Sequence, residues 1–181
     1  MKKGLLGFLL VCAIGLTGCA THIAQPTSAP MAAKVKLGTF TKVELSKCVI
    51  SDKLRGSNES AIKKIDENLL KDISGALQNV SQVAEPKNFT AGSGTLQIIP
   101  EIKDIKFIGG AARFMVGAMA GSSAVLISLT CKDAATGDVV AQGEFYKSGN
   151  AYSGSWSIGV SDNMMLDDVA REIGNYLSAN R

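Results

Sequence analysis

Residues 124–147, AVLISLTCKDAATGDVVAQGEFYK, decide the architecture. Val125, Ile127, Leu129 and Cys131 fall on every second position, the period of a strand with one face in a core. Asp133 to Asp138 is turn chemistry, with Gly137 suited to a positive φ, and Val139 to Lys147 returns as a second strand. Working outward, Thr95 to Lys106 alternates through Leu96, Ile98, Ile102 and Ile105. Pro100 interrupts it and, lacking an N–H, confines that strand to an edge or a bulge. Lys34 to Val49 carries Val35 and Leu37, then Val43 and Leu45 in a shifted phase, which predicts a long strand bulged near Gly38-Thr39-Phe40.

Two segments change period. Asn58 to Gln82 places Ile62, Ile65, Leu69, Ile73, Leu77 and Val80 at helical spacing, with Lys63–Glu67 and Glu67–Lys71 pairs on the other face. Asn163 to Ala179 repeats the pattern with Leu166, Val169, Ile173 and Leu177, capped by Ser161-Asp162. The order β-α-β-(x)-β-β-α predicts a single α/β (α+β) layered sandwich, a mixed sheet of about four or five strands with two main helices on one face.

The amino terminus predicts the compartment. Lys2 and Lys3 precede an uncharged apolar run, Gly4 to Leu16, which is too short to span a bilayer and of signal-peptide length. Leu16-Thr17-Gly18-Cys19 resembles the bacterial lipobox. That resemblance implies a diacylglyceryl group on the Cys19 thiol, cleavage before Cys19, and further acylation of its amine. Two or three acyl chains hold a protein durably at a membrane, whereas one does so only marginally. Ala20 follows Cys19 where proteobacterial lipoproteins retained in the inner membrane often carry Asp, which implies the outer membrane. Residues 1–18 are thus expected to be a signal peptide, 19–33 a lipidated Cys and flexible tether reaching ~40 Å at most, and 34–181 one periplasmic domain.

Composition narrows the function. The chain has 181 residues, 46% hydrophobic and 19% charged, enough for one packed core and unlike a disordered chain. Its 19 basic and 16 acidic side chains give +3, and without Lys2 and Lys3 the balance is +1. Such a surface makes no electrostatic case for nucleic acid. The single histidine, His22, lies in the tether, which removes most routes to a Ser-His-Asp triad, a Cys-His pair or a His-ligated zinc. Of the four cysteines, Cys12 leaves with the signal peptide and Cys19 is acylated. Cys48 and Cys131 remain. They are either bridged, as export permits, or two separate buried thiols.

The unusual stretch is Phe107 to Ser123, FIGGAARFMVGAMAGSS, with Gly109, Gly110, Gly117 and Gly121, and Arg113 as its one charge. Phe114 to Cys131 is uncharged over 18 residues, the length of a membrane span, but its second half has period two. A buried turn or helix, or a hairpin touching membrane or lining an oligomer, are the alternatives. A buried Arg113 needs a partner, and Glu101 and Asp104 are the acids closest in sequence. The stretch lacks the dinucleotide and P-loop glycine spacings. The acid pairs Glu101/Asp104 and Asp133/Asp138 fall at strand ends or turns, and Asp162, Asp167 and Asp168 at a helix start, so none is assigned to catalysis. Phe145, Tyr146, Tyr152 and Trp156 read as partly buried core, with an aromatic binding patch as the alternative.

Pro100-Glu101-Ile102, Gly109-Gly110-Ala111-Ala112-Arg113-Phe114 with Gly117 and Gly121, and Asp133-x-x-Thr136-Gly137-x-Val139 together resemble a family of bacterial lipoproteins, domain of unknown function 4410, over roughly residues 35–178. The resemblance implies a small exported domain and no activity. The expectation is a non-enzymatic lipoprotein with no catalytic, metal or cofactor site. It would be membrane-bound through its lipid, with an envelope protein as partner and no nucleic acid. An oligomeric pore or secretion subunit using residues 107–131 is the alternative.

Overall fold

The structure, a computed structural model, describes residues 23–108, 122–149 and 160–181. Six strands form one mixed sheet: β1 (Lys42–Ser46), β2 (Val49–Ile50), β3 (Val80–Val83), β4 (Thr95–Lys106), β5 (Ala124–Asp133) and β6 (Val139–Ser148). Their order is β3-β1-β4-β5-β6, with β2 continuing β1 beside β4. β1 runs parallel to β3 and β4, while β4, β5 and β6 form an antiparallel meander. The two main helices are α1 (Glu59–Ala76) and α2 (Val160–Ala179). This is the α/β sandwich that the periodicities predict, and the 124–147 hairpin closes on Gly137 at φ 78°.

The expected apolar stripes meet in one core. Ile62, Ile65, Leu69 and Ile73 of α1 and Leu166, Val169, Ile173 and Leu177 of α2 pack on Leu96, Ile98, Val125, Ile127, Leu129 and Phe145. The helices lie side by side. Lys64 and Asn68 both reach Asp167 Oδ1, at 3.3 and 2.7 Å.

Four expectations need correction. The first strand begins only at Lys42, since Leu37–Thr39 is a 3-10 turn, and its irregularity lies at Lys47-Cys48 rather than at Gly38-Thr39-Phe40. For Pro100, the alternatives of an edge or a bulge resolve to the second, inside a central strand. Between the pairs Leu45↔Ile98 and Val49↔Glu101, the β1/β2 side holds one residue more than β4, so the bulge sits opposite Pro100, where no N–H is required. α1 ends at Ala76, and Val80 belongs to the edge strand β3. Asn79, at φ 54°, reverses the chain while its Nδ2 donates to Thr41 O at 2.9 Å. α2 starts at Val160, so Asp162 lies in its first turn rather than capping it.

The fourth correction concerns the tether. Residues 23–36 are docked rather than free. Ile23 is buried, Met31 N–H donates to Gln142 O at 2.9 Å, and Lys34 N–H donates to Val140 O at 2.8 Å, so this strap covers the outer edge of β6. Helix α2 clasps it from the other side. Tyr176 Oη donates to Met31 O at 2.6 Å, and Asn180 Oδ1 accepts from Ala33 N–H at 2.8 Å. An unpaired sheet edge invites association, and here the chain covers its own.

Gly143 makes this contact possible. A Cβ there would lie 2.6 Å from Pro30 Cβ and 3.2 Å from the Phe145 ring. Gly143→Ala is therefore expected to lift the strap and cost about 1–3 kcal/mol. Thermal unfolding and trypsin cleavage within residues 23–36 check it; unchanged values for both would show the strap contributes nothing.

Candidate functional site

The sheet face away from the helices carries the most concentrated polar surface. Ser128 and Thr130 of β5 stand beside Gln142 and Glu144 of β6, through the pairs Ser128↔Glu144 and Thr130↔Gln142. The strap residues Ser28, Ala29 and Met31 wall this row into a groove of about 510 Å³. Hydroxyls, an amide and a carboxylate can bind a polar partner through hydrogen bonds.

The expected acid pairs are separated or occupied. Glu101 Oε1 takes Lys103 Nζ at 3.0 Å, and Asp104 Oδ1 accepts from Ile105 N–H at 2.8 Å. Asp133 Oδ1 accepts from Ala135 N–H at 2.8 Å, which builds the hairpin turn. Asp167 meets Lys64, and Asp168 meets Arg171. Among the described residues no three His, Cys, Asp or Glu side chains gather to hold a metal ion.

Glu44 is an acid that the periodicity did not single out. It lies on β1 facing away from the helices, yet is 2% exposed. The connection from β3 to β4 folds over it: Thr90 N–H and Oγ1 donate to its carboxylate at 2.8 and 2.6 Å, and Lys42 Nζ donates at 2.7 Å. Burial alone would raise its pKa, but these three donors outweigh it and hold the carboxyl below its usual value. Every strong donor is already used, so the group pins a loop rather than waiting for a substrate.

Cys48 and Cys131 are both free and buried. Cys131 pairs with Ile98 of β4, and Cys48 lies at the bulge on the other side of β4. Two strand spacings separate them by about 10 Å, beyond the ~7 Å Cα separation a disulfide tolerates. The fold adopts the second alternative, two separate thiols. Burial pushes the Cys131 thiol up to about 12, and burial with the Asp66 carboxylate pushes Cys48 well up. Cys48 N–H donates to Asp66 Oδ1 at 2.8 Å, which satisfies the backbone at the bulge.

The remaining sequence candidates divide cleanly. Phe145 is core, 1% exposed, with its ring 5.4 Å edge-on from Tyr176, while Tyr146 is half-buried on the groove side of the sheet opposite Leu126. Cys19, His22, Gly109, Gly110, Arg113, Gly117, Gly121, Tyr152 and Trp156 lie outside the described residues. The uncharged run Phe114 to Cys131 ends inside β5, a central strand, so it is not one spanning helix. No helix among the described residues is long and apolar enough to cross a membrane.

Two outcomes test this description. Because the folded pKa of Glu44 is depressed, its stabilisation is fully present above the unfolded value near 4.5 and is lost as pH falls through the folded value. Glu44→Gln should cost about 1–3 kcal/mol at pH 7 and flatten the acid limb of the stability–pH curve. For the thiols, unfolded and unreduced protein should take an alkyl group at both Cys48 and Cys131, whereas a mass two hydrogens short with neither alkylated would mean a bridge.

No family model and no curated protein matches the chain, so the resemblance to domain of unknown function 4410 rests on the quoted residues alone. Among solved structures, two crystal forms of the PelC dodecamer from Paraburkholderia phytofirmans are similar at 12% and 13% identity. Their TM-scores are 0.52 and 0.51, over 84% and 86% of this chain and 95% and 96% of theirs. A Xanthomonas campestris protein of domain of unknown function 330 is similar at 8% identity and a TM-score of 0.51, over 84% of this chain and 95% of that one. At these identities the likeness is one of fold.

Proposed function

We propose that this protein is an outer-membrane-anchored, periplasm-facing lipoprotein that serves as a non-enzymatic binding or assembly accessory of the bacterial cell envelope, of the domain-of-unknown-function-4410 type. The observation that carries the reading is Leu16-Thr17-Gly18-Cys19 after a short apolar run, followed by Ala20. The groove supports a binding role, because its hydroxyls, amide and carboxylate can donate and accept hydrogen bonds. The acids elsewhere support it too, being engaged in turns, ion pairs and a loop clamp. The partner is an envelope protein that presents polar groups to that face.

A ring-forming subunit is the second reading, favoured by one observation: the fold is shared with PelC, which is a dodecamer. In that case residues 107–123 would line or contact the ring, since 124–131 are enclosed between β4 and β6.

Cys19→Ala should abolish acylation and leave the precursor at its full mass. If the mutant still matures and fractionates with membranes, the lipoprotein reading is wrong. Mass photometry of the detergent-solubilised protein separates the two readings, monomers supporting the accessory and a uniform ring the second.

A further inference from the structure

The strap, the hairpin and the helix termini give the domain two unlike ends. Traced backward from Lys34, the strap runs along β6 from Val140 to Gln142, and Ser28 and Ala29 border the groove beside Glu144. It therefore travels toward the end where β6 finishes at Ser148. At that same end β4 finishes and β5 begins, and Gly149 N–H donates to Ser123 O at 2.8 Å, while Ile108 N–H donates to Ser123 Oγ at 3.0 Å. Helix α2 also starts there. Tyr176 packs on Phe145 and Glu172 meets Lys147 at 2.7 Å, so α2 runs antiparallel to β6 and its first turns project past the strand.

The chemistry of the two ends differs. At this one, Phe107 and the buried Leu166 share a hollow with Lys64 and Asp162, and Met164 is the most exposed large apolar side chain among the described residues, at 58%. Asp52, Lys53, Arg55 and Glu59, ahead of and at the start of α1, add mixed charge at the rim. The far end carries Lys132, Asp133 and Asp138 at the hairpin turn, with Lys34, Lys36 and Arg181.

Chain length then fixes the neighbour. The fold holds the chain from Ile23 onward, so an acylated Cys19 is separated from it by three residues, Ala20 to His22, ~14 Å at full extension. We infer that the end bearing Phe107, Met164 and the start of α2 rests on the lipid surface, with the hairpin turn at Asp133–Asp138 pointing away from it. An exposed methionine among side chains of both charges suits the layer between headgroups and acyl chains. The inference rests on the lipoprotein reading of Cys19.

The test uses the full acylated protein in phosphatidylethanolamine–phosphatidylglycerol vesicles whose acyl chains are brominated. With Trp156→Phe removing the native indole, Met164→Trp and Ala135→Trp report the two ends from exposed positions. Met164→Trp should lose most of its emission relative to unbrominated vesicles, and Ala135→Trp should lose none. Equal quenching of both, quenching of Ala135→Trp alone, or quenching of neither in a protein that floats with the vesicles would overturn the orientation. A chain that carries no acyl mass would instead remove the lipoprotein reading, and the orientation falls with it.

Discussion

Pro100 stands in the strand through which the rest of the sheet is registered. β4 pairs with β1 and β2 on one side and with β5 on the other, so a residue without an N–H there removes a ladder bond from the middle of the structure. The fold absorbs this by placing one extra residue, at Lys47-Cys48, opposite the proline. That leaves the Cys48 N–H without a strand partner, and Asp66 of α1 supplies one. A buried unpaired amide would cost about 1–3 kcal/mol, so Asp66 ties the helix layer to the sheet at the point where the sheet is weakest. The same bulge divides one strand into β1 and β2 and lets Ile50 turn back into the core.

Glu44 makes a comparable connection on the opposite face. A two-layer sandwich leaves one side of its sheet uncovered, and here the β3–β4 connection is drawn across part of it by a carboxylate with three donors. The groove beside β5 and β6 is what remains open, narrowed by the strap. Its polar lining thus follows from strand alternation: Cys131, Leu129 and Ile127 face the helices, which turns Thr130 and Ser128 to the groove.

What could be read in advance was whatever a local period encodes. The stripes of both helices, the alternation of β4 and β5 and the Gly137 turn all depend on neighbours close in sequence, and all were legible. What could not be read depends on distant partners. Val80 sits in helical phase with Leu77, and only pairing with Val43 makes it a strand residue. Pro100 marks an edge or a bulge, and only the extra residue across from it decides between the two. Glu44 shows no spacing that marks it as buried, because the donors that permit its burial come from Lys42 and from Thr90, a loop residue. The two thiols satisfied every compositional condition for a bridge, and the strand between them decides against it.

The strap extends this lesson to the amino terminus. Pro26, Pro30 and a run of small residues have the composition of a spacer, and composition alone would grant them tens of ångströms of reach. Yet small residues are also what can lie flat against a strand, and Pro30 fits because position 143 has no Cβ. Docking takes the residues from Ile23 onward out of any spacer. A protein on a long spacer samples all orientations above a membrane, and its surfaces need no common direction. If Cys19 is acylated as proposed, its short connection to Ile23 restricts the domain to poses in which the strap's starting end is near the lipid. Under that proposal the docking of the strap, and not the composition of the segment, determines which face of the sheet a partner would meet.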